Sequence, residues 1–423
     1  MKTKLIAAIM GMAALASSAS VTISDVIVRQ QWPWNGKVNI DYILSDPDGG
    51  EHDINVIMRN GQDVVTNEFG SLSGDLFAVK SGSHRIVWDP AFRSPEYADA
   101  VLADFSVTLS TPEDSGQYMI LDLSGGAEAS IPVTFTNCPP AGGWNQDEYK
   151  TTKLVLRHIP AGTFRMGSPD DELGRSATRE VMHNVTFTND FYIGIFETTA
   201  SQYSNMVHTA AEYSAGVSGS KLPAVRVLYS SLRGANDHNL AVYPAYEEGS
   251  FFDTFNKRFS FAGRFADYRF DLPTISQWEY ACRAGTTGAW NDGTTITNVT
   301  TDAQLARIAR YQANGYYNVG PVGAKNVPNA FGLYDMHGNA SEMCMDRVYG
   351  AQGNPPFWTG DPLVEPFCRG DSWPWTAVIK GGDGWQNARV CRAADLEPLG
   401  SGGISAAATF RMVFVYRRVA GEL

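Results

Sequence analysis

The side chains with the widest chemical reach are five cysteines, at positions 138, 282, 344, 368 and 391 of a 423-residue chain. A thiolate can serve as nucleophile, redox partner or soft-metal ligand. No two of the five form a Cys-x-x-Cys pair, and no histidine pair stands beside one, so spacing alone gives no redox or zinc motif. The seven histidines contain neither His-x-x-x-His nor His-Glu-x-x-His, which leaves a zinc hydrolase without its ligands. A Gly-x-Ser-x-Gly elbow, a P-loop and a dinucleotide fingerprint are also missing. Acidic residues number 45 against 33 basic ones, for a net charge of -12. That balance argues against a nucleic-acid partner, which needs a concentrated basic face.

The elements that must position these residues fall into two textures. Residues 20–112 carry short β-branched runs at Val26–Val28, Val38–Tyr42, Ile54–Met58, Arg85–Trp88 and Phe105–Leu109. Turn clusters such as Asp46-Pro47-Asp48-Gly49-Gly50 and Asn60-Gly61 separate them, which predicts a small all-β sandwich. The polar stretch Thr111–Gly116 marks a boundary, and residues 113–423 are rich in Trp, Tyr, Gly and Asn with few helices. One helix is predicted after Thr274, whose capping box is completed by Gln277, with Gly285 just past its end. A second is predicted from Thr199 to about Val207, with Ala200, Tyr203, Met206 and Val207 on one face. The whole reads as an α+β chain.

Ahead of both, Lys2 and Lys4 precede an apolar run from Leu5 to Ala16 and small residues through Ser20. This predicts a signal peptide over residues 1–19, cleaved near Ala19, and hence a secreted or periplasmic protein. The run is shorter than the roughly 20 residues a membrane span needs, and no later segment qualifies, so no membrane span is expected.

Several stretches of the second region resemble the formylglycine-generating enzyme, or sulfatase-modifying factor, family. They are Ile159–Ser168, Phe191–Thr199, Leu272–Thr274 with Trp278–Ala281, Pro328–Met336 leading into Gly338-Asn339, Lys380–Gly382, Cys391–Ala394 and Phe410-Arg411. They occur in family order over roughly residues 116–418. The resemblance implies a C-type-lectin-like α+β fold with much irregular backbone. It also implies a copper-dependent oxidase that converts a sulfatase cysteine to formylglycine with two reactive cysteines after the Gly-Gly turn. Soft sulfur ligands suit Cu(I). Here no cysteine lies between Gly382 and Cys391, the family's serine is Asp383, and its tryptophan is Ser341. Copper is therefore not expected. A non-catalytic binding or structural member, with a peptide or glycan ligand, is the expected function. The competing expectation is an active oxidase with a displaced thiol pair.

The resemblance further implies a disulfide between Cys282 and Cys391. It would close a loop of about 109 residues, worth about 4–5 kcal/mol in the chain-entropy model. Spacing and elimination suggest a second pair, Cys344 with Cys368, leaving Cys138 spare. Asp335, Gly338, Ala340 and Glu342 match a structural calcium site of the family, through two carboxylates and two backbone carbonyls. The alternative is a carboxylate pair that caps a turn without metal. His337, inside that turn, is expected as a surface donor. Asp171, Glu172 and Glu180 are expected as solvated surface. Trp32, Trp34, Trp373, Trp375 and Trp385 could line a saccharide or peptide platform, though core packing is the preferred expectation for each.

Overall fold

The computed structural model describes residues 21–416, except 32–34, 48, 62, 66–71, 91–96, 98–100, 103, 112–115, 137–138, 141, 208–219, 235–245, 262–264, 316, 350–362, 369–374 and 400–406. The expected signal peptide and Cys138 lie outside the described residues.

Among the described residues the first region has seven strands: β1 (Thr22–Gln30), β2 (Val38–Ser45), β3 (Asn55–Asn60), β4 (Asp63–Val65), β5 (Leu72–Gly74), β6 (Gly82–Trp88) and β7 (Phe105–Ser110). They form two sheets, ordered β1-β2-β6-β5 and β4-β3-β7. Period-2 alternation explains the packing. Val38, Ile40, Tyr42 and Leu44 of β2 point inward and share one core with Val56, Met58 and Val65 of the other sheet. Trp88 stacks on Phe105 across the two sheets, with ring centroids 5.2 Å apart. Four of the five β-branched runs picked out in the sequence lie within these strands, and the fifth, Ile54–Met58, starts one residue ahead of β3.

The second region adds β8 (Tyr118–Asp122), β9 (Val133–Thr136), β10 (Lys153–Ile159), β11 (Gly162–Met166), β12 (His183–Phe187), β13 (Phe191–Gly194), β14 (Tyr268–Asp271), β15 (Ser341–Tyr349), β16 (Leu363–Val364), β17 (Trp375–Lys380), β18 (Glu397–Pro398), β19 (Ala408–Thr409) and β20 (Val413–Tyr416). A six-stranded sheet, β14-β20-β13-β10-β8-β9, is its frame. This sheet is covered on both faces. Val155, Ile193, Val413 and Val415 enter one core, while Leu154, Leu156, Tyr192 and Phe414 enter another. Two smaller sheets, β11-β12-β16 and β18-β17-β15-β19, carry much of the rest. Strands far outnumber the few short helices, giving an α+β fold.

Both expected helices form. Ala200–Met206 is capped by Thr199, whose hydroxyl accepts from the Gln202 N–H while Gln202 reaches back. Ile275–Arg283 has the same box at Thr274 and Gln277. This second helix ends on Ala284 in the left-handed region (φ 45°), one residue before Gly285. Among the described residues no helix is long and apolar enough to cross a membrane.

The two regions are joined by a buried contact. The Arg157 guanidinium of β10 donates from Nη2 to both Asp53 carboxylate oxygens, which belong to the first region. Its Nη1 donates to Gln117 Oε1 at 2.6 Å and its Nε to the Phe331 carbonyl at 3.2 Å. Phe77 of the first region meets Phe331 edge to face at 4.8 Å.

Candidate functional site

The helix Ile275–Arg283 supplies the floor of the site. Its residues are buried without exception, because β11 packs against it as well as β15 and β17. Glu279 is fully enclosed. Its Oε1 accepts from Arg283 and from the Gly167 N–H, and its Oε2 accepts from Lys380 Nζ at 3.0 Å. Trp278 donates its indole N–H to Glu342 Oε2 at 2.7 Å. The Trp-Glu pair of the sequence motif therefore ties the helix to β15 and β17.

The turn before β15 is shaped by left-handed residues: Asp335 (φ 55°), Gly338 (φ 73°) and Asn339 (φ 61°). Asp and Asn tolerate that region better than other residues with a Cβ. Gly338 is required, since a Cβ there would stand 2.1 Å from the Arg310 carbonyl oxygen. Asn339 and Ala340 are held by Glu197, which accepts from Asn339 Nδ2 at 2.7 Å and from the Ala340 N–H at 2.9 Å. Burial, with the nearby Asp335 and Glu342 charges, pushes the Glu197 carboxyl well above the usual carboxylate range. Sequence reasoning passed over Glu197. The signal was there: a lone carboxylate closing the apolar run Phe191–Phe196 is rarely solvated.

The four residues matched to a calcium site sit on this turn, but both carboxylate oxygens of Glu342 and one of Asp335 are already engaged. Glu342 receives Nη2 of Arg411 at 2.6 Å and Nε at 2.9 Å in addition to the indole of Trp278. Arg411 also donates to the Gly194 and Tyr334 carbonyls. Asp335 Oδ2 accepts from the Gly323 N–H. Among the described residues no three His, Cys, Asp or Glu side chains gather as they would around a metal ion. The arrangement does not fit a cation on Glu342, because a guanidinium stands against both of its oxygens.

Ser341 and Asp383, 42 residues apart, are brought together. The Ser341 hydroxyl donates to Asp383 Oδ2 at 2.7 Å, and Asp383 Oδ1 accepts from the Trp385 N–H at 2.9 Å. Burial raises the Asp383 carboxyl above its ordinary value. Gly382 lies directly against Cys391, where a Cβ would come within 2.7 Å of the thiol sulfur. Among the described residues this serine has a carboxylate but no imidazole bonded to it. His337 is committed elsewhere, so the pair lacks the base that activates a hydroxyl nucleophile.

His337 is buried, contrary to the expectation of a surface donor. Its Nδ1 bonds the Cys391 carbonyl at 2.7 Å, and its Nε2 accepts from the Asn291 N–H at 3.0 Å. Burial lowers its pKa to about 4.

The expected disulfides are not formed: Cys282, Cys344 and Cys391 are free and buried, and Cys368, also buried, is not joined to Cys344. The Cys282 sulfur faces His337 Nε2 at 3.7 Å, and the same imidazole bonds the Cys391 carbonyl through Nδ1. Cys368 lies past Cys344 along β15: its N–H donates to the Asp346 carboxylate and its carbonyl accepts from the Arg347 N–H. Burial drives the Cys282 thiol up to about 12 and pushes the Cys344 and Cys391 thiols well upward.

Two of the three charges expected at the surface are buried instead. Glu172 and Glu180 meet Arg392, whose Nη1 donates to each at 2.7 Å, and Ser168 donates to Glu180. Asp171 is exposed as expected. Of the five tryptophans singled out, Trp385 is described and is 38% exposed rather than in the core. Trp32, Trp34 and Trp373 lie outside the described residues, as does the side chain of Trp375.

Residues 144–415 match the model of the sulfatase-modifying factor enzyme 1-like domain. Among solved structures, PvdO from Pseudomonas aeruginosa is similar at 24% identity, covering 63% of this chain and 94% of that one, with a TM-score of 0.44. Treponema denticola variable protein 1 is similar at 22% identity, covering 62% of this chain and 95% of that one, with a TM-score of 0.43. No curated protein sequence matches the chain.

Proposed function

Because this chain belongs to the sulfatase-modifying factor enzyme 1-like family, its thiols decide between oxidation and binding, and we propose that it is an exported, non-catalytic binding member. The observation that carries this reading is the state of the cysteines. Copper-dependent oxidation of a peptide thiol needs two accessible sulfurs that ionise readily. Cys282, Cys344 and Cys391 are buried with thiol pKa values driven upward, and Cys368 is buried as well. No cysteine occurs from Asp383 to Val390. At the positions of the family's serine and tryptophan, Asp383 and Ser341 form a closed hydrogen-bonded pair instead. Export rests on the basic-apolar-small pattern of residues 1–19.

The test is incubation of purified protein with Cu(I) and a Cys-x-Pro-x-Arg peptide. The expected result is no stoichiometric copper binding and no aldehyde in the peptide mass spectrum. Aldehyde formed at more than one turnover would replace this reading with that of an active oxidase.

A further inference from the structure

The ligand surface of this binding member can be narrowed from two aromatic residues that the oxidase comparison does not use. Trp385 is 38% exposed and Tyr317 is 59% exposed, each in a turn. The two turns are in contact. Gly384 is pressed so closely on the Asn318 backbone that a Cβ would lie 2.2 Å from its carbonyl oxygen, and the Gln312 N–H donates to the Gln386 carbonyl. Arg310 fixes the first turn from below, donating to the Gly315 and Asn318 carbonyls. Asp383 fixes the second through the Trp385 N–H.

Tyr317 holds a left-handed backbone (φ 54°), a conformation that a bulky side chain adopts at a cost. Glycine or asparagine would sit there with less strain. A strained position that nevertheless displays a large ring to solvent points to use of the ring itself.

The surroundings indicate the chemistry of the ligand. Gln312 donates from Nε2 to the Tyr317 hydroxyl at 3.4 Å, Asn318 follows Tyr317 and Gln386 follows Trp385 in the chain, and all three are uncharged. The charged side chains that fix the two turns are already engaged, Arg310 on carbonyls and Asp383 on Ser341 and the Trp385 N–H. Neither is left to pair with a phosphate or a charged peptide. The turn 382–387 offers no strand edge for an added peptide strand, because β17 ends at Lys380 and is paired on both sides by β15 and β18. Ring faces beside neutral amides complement a flat ligand with C–H faces and hydroxyl edges.

We propose that Tyr317 and Trp385 form a ledge that binds a neutral pyranose chain by stacking, with the flanking amides bonding its hydroxyls. This rests on the binding-member reading and supplies its ligand class.

The experiment titrates the full chain by calorimetry with neutral hexasaccharides of β-1,4-glucose, β-1,4-mannose and β-1,4-N-acetylglucosamine, and in a parallel arm with uncharged decapeptides. At least one hexasaccharide is expected to bind. Trp385→Ala and Tyr317→Gly should each weaken it roughly tenfold or more, the scale of an aromatic anchor. Tyr317→Gly should melt no lower than the native protein, because glycine accepts the φ of this position, which separates lost binding from lost folding. Absence of binding to all three hexasaccharides, binding indifferent to both substitutions, or decapeptides captured through Trp385 would each overturn the ledge. None of those outcomes would generate an aldehyde, so the non-catalytic reading stands or falls separately on the copper assay.

Discussion

Replacing Asp53 by asparagine tests whether the first region is an independent spacer or a structural partner of the second. Arg157 is fully buried, and the side chain of Asp53, its acidic partner, is 8% exposed. Removing one member of a buried ion pair costs about 3–5 kcal/mol, mostly because the other charge is left unpaired away from water. Arg157 keeps neutral acceptors in Gln117 and the Phe331 carbonyl, and the amide oxygen introduced by the substitution can still accept one bond. The lower end, about 3 kcal/mol, is therefore expected. The loss has a natural ceiling. Once it exceeds the free energy that holds the two regions together, the first region lifts off and water reaches the guanidinium.

Differential scanning calorimetry of the full chain reads this directly. For domains of this size, 1 kcal/mol corresponds to about 2–4 °C, so a fall of about 6–12 °C is expected for Asp53→Asn. Combining it with Arg157→Gln should recover part of the loss, because a neutral pair leaves no stranded charge. If Asp53→Asn melts within about 1 °C of the native protein, the contact carries no coupling and the reasoning fails.

Three further outcomes follow from the buried charges. Arg392→Met strands Glu172, Glu180 and Asp395 together and should cost more than about 3 kcal/mol in urea denaturation, while Glu180→Gln should cost less because Arg392 keeps two other carboxylates. His337 has a folded pKa of about 4, below its ordinary 6.5, mainly through burial. A histidine kept neutral by the fold contributes fully above the unfolded pKa, and that stability is lost as pH falls from about 6.5 toward 4, amounting to about 3 kcal/mol at most. His337→Gln should flatten the melting profile across that window, and an unchanged slope would exclude His337 as its source. Melting with excess chelator and melting with added calcium should coincide, since Arg411 already occupies Glu342. A calcium-dependent rise would show that the turn rearranges around a cation.

Much of the local structure was legible in the sequence. The capping boxes at Thr199/Gln202 and Thr274/Gln277 form as their spacing demands, because a cap is settled within four residues. Five strands of the first region were visible because burying one face of a sheet imposes a period of two, whereas the three-residue β4 and β5 are too short to show one. The family blocks marked the turn at Gly338 and the Ser341 and Asp383 positions, which the fold brings within hydrogen-bonding distance. Burial of charge was not legible. Glu172 and Glu180 stand in a polar stretch and read as surface, and only an arginine more than 200 residues later reverses that.

What the sequence determined by itself is therefore what neighbours along the chain settle: caps, alternation, turn glycines, and the lack of cysteine between Gly382 and Cys391. Tertiary structure alone decided which charges meet. It set Arg157 against Asp53, Arg411 against Glu342, and His337 against the Cys282 sulfur and the Cys391 carbonyl. A buried ion is tolerable only beside its partner, and that partner is chosen by the packing of the whole chain rather than by any local pattern.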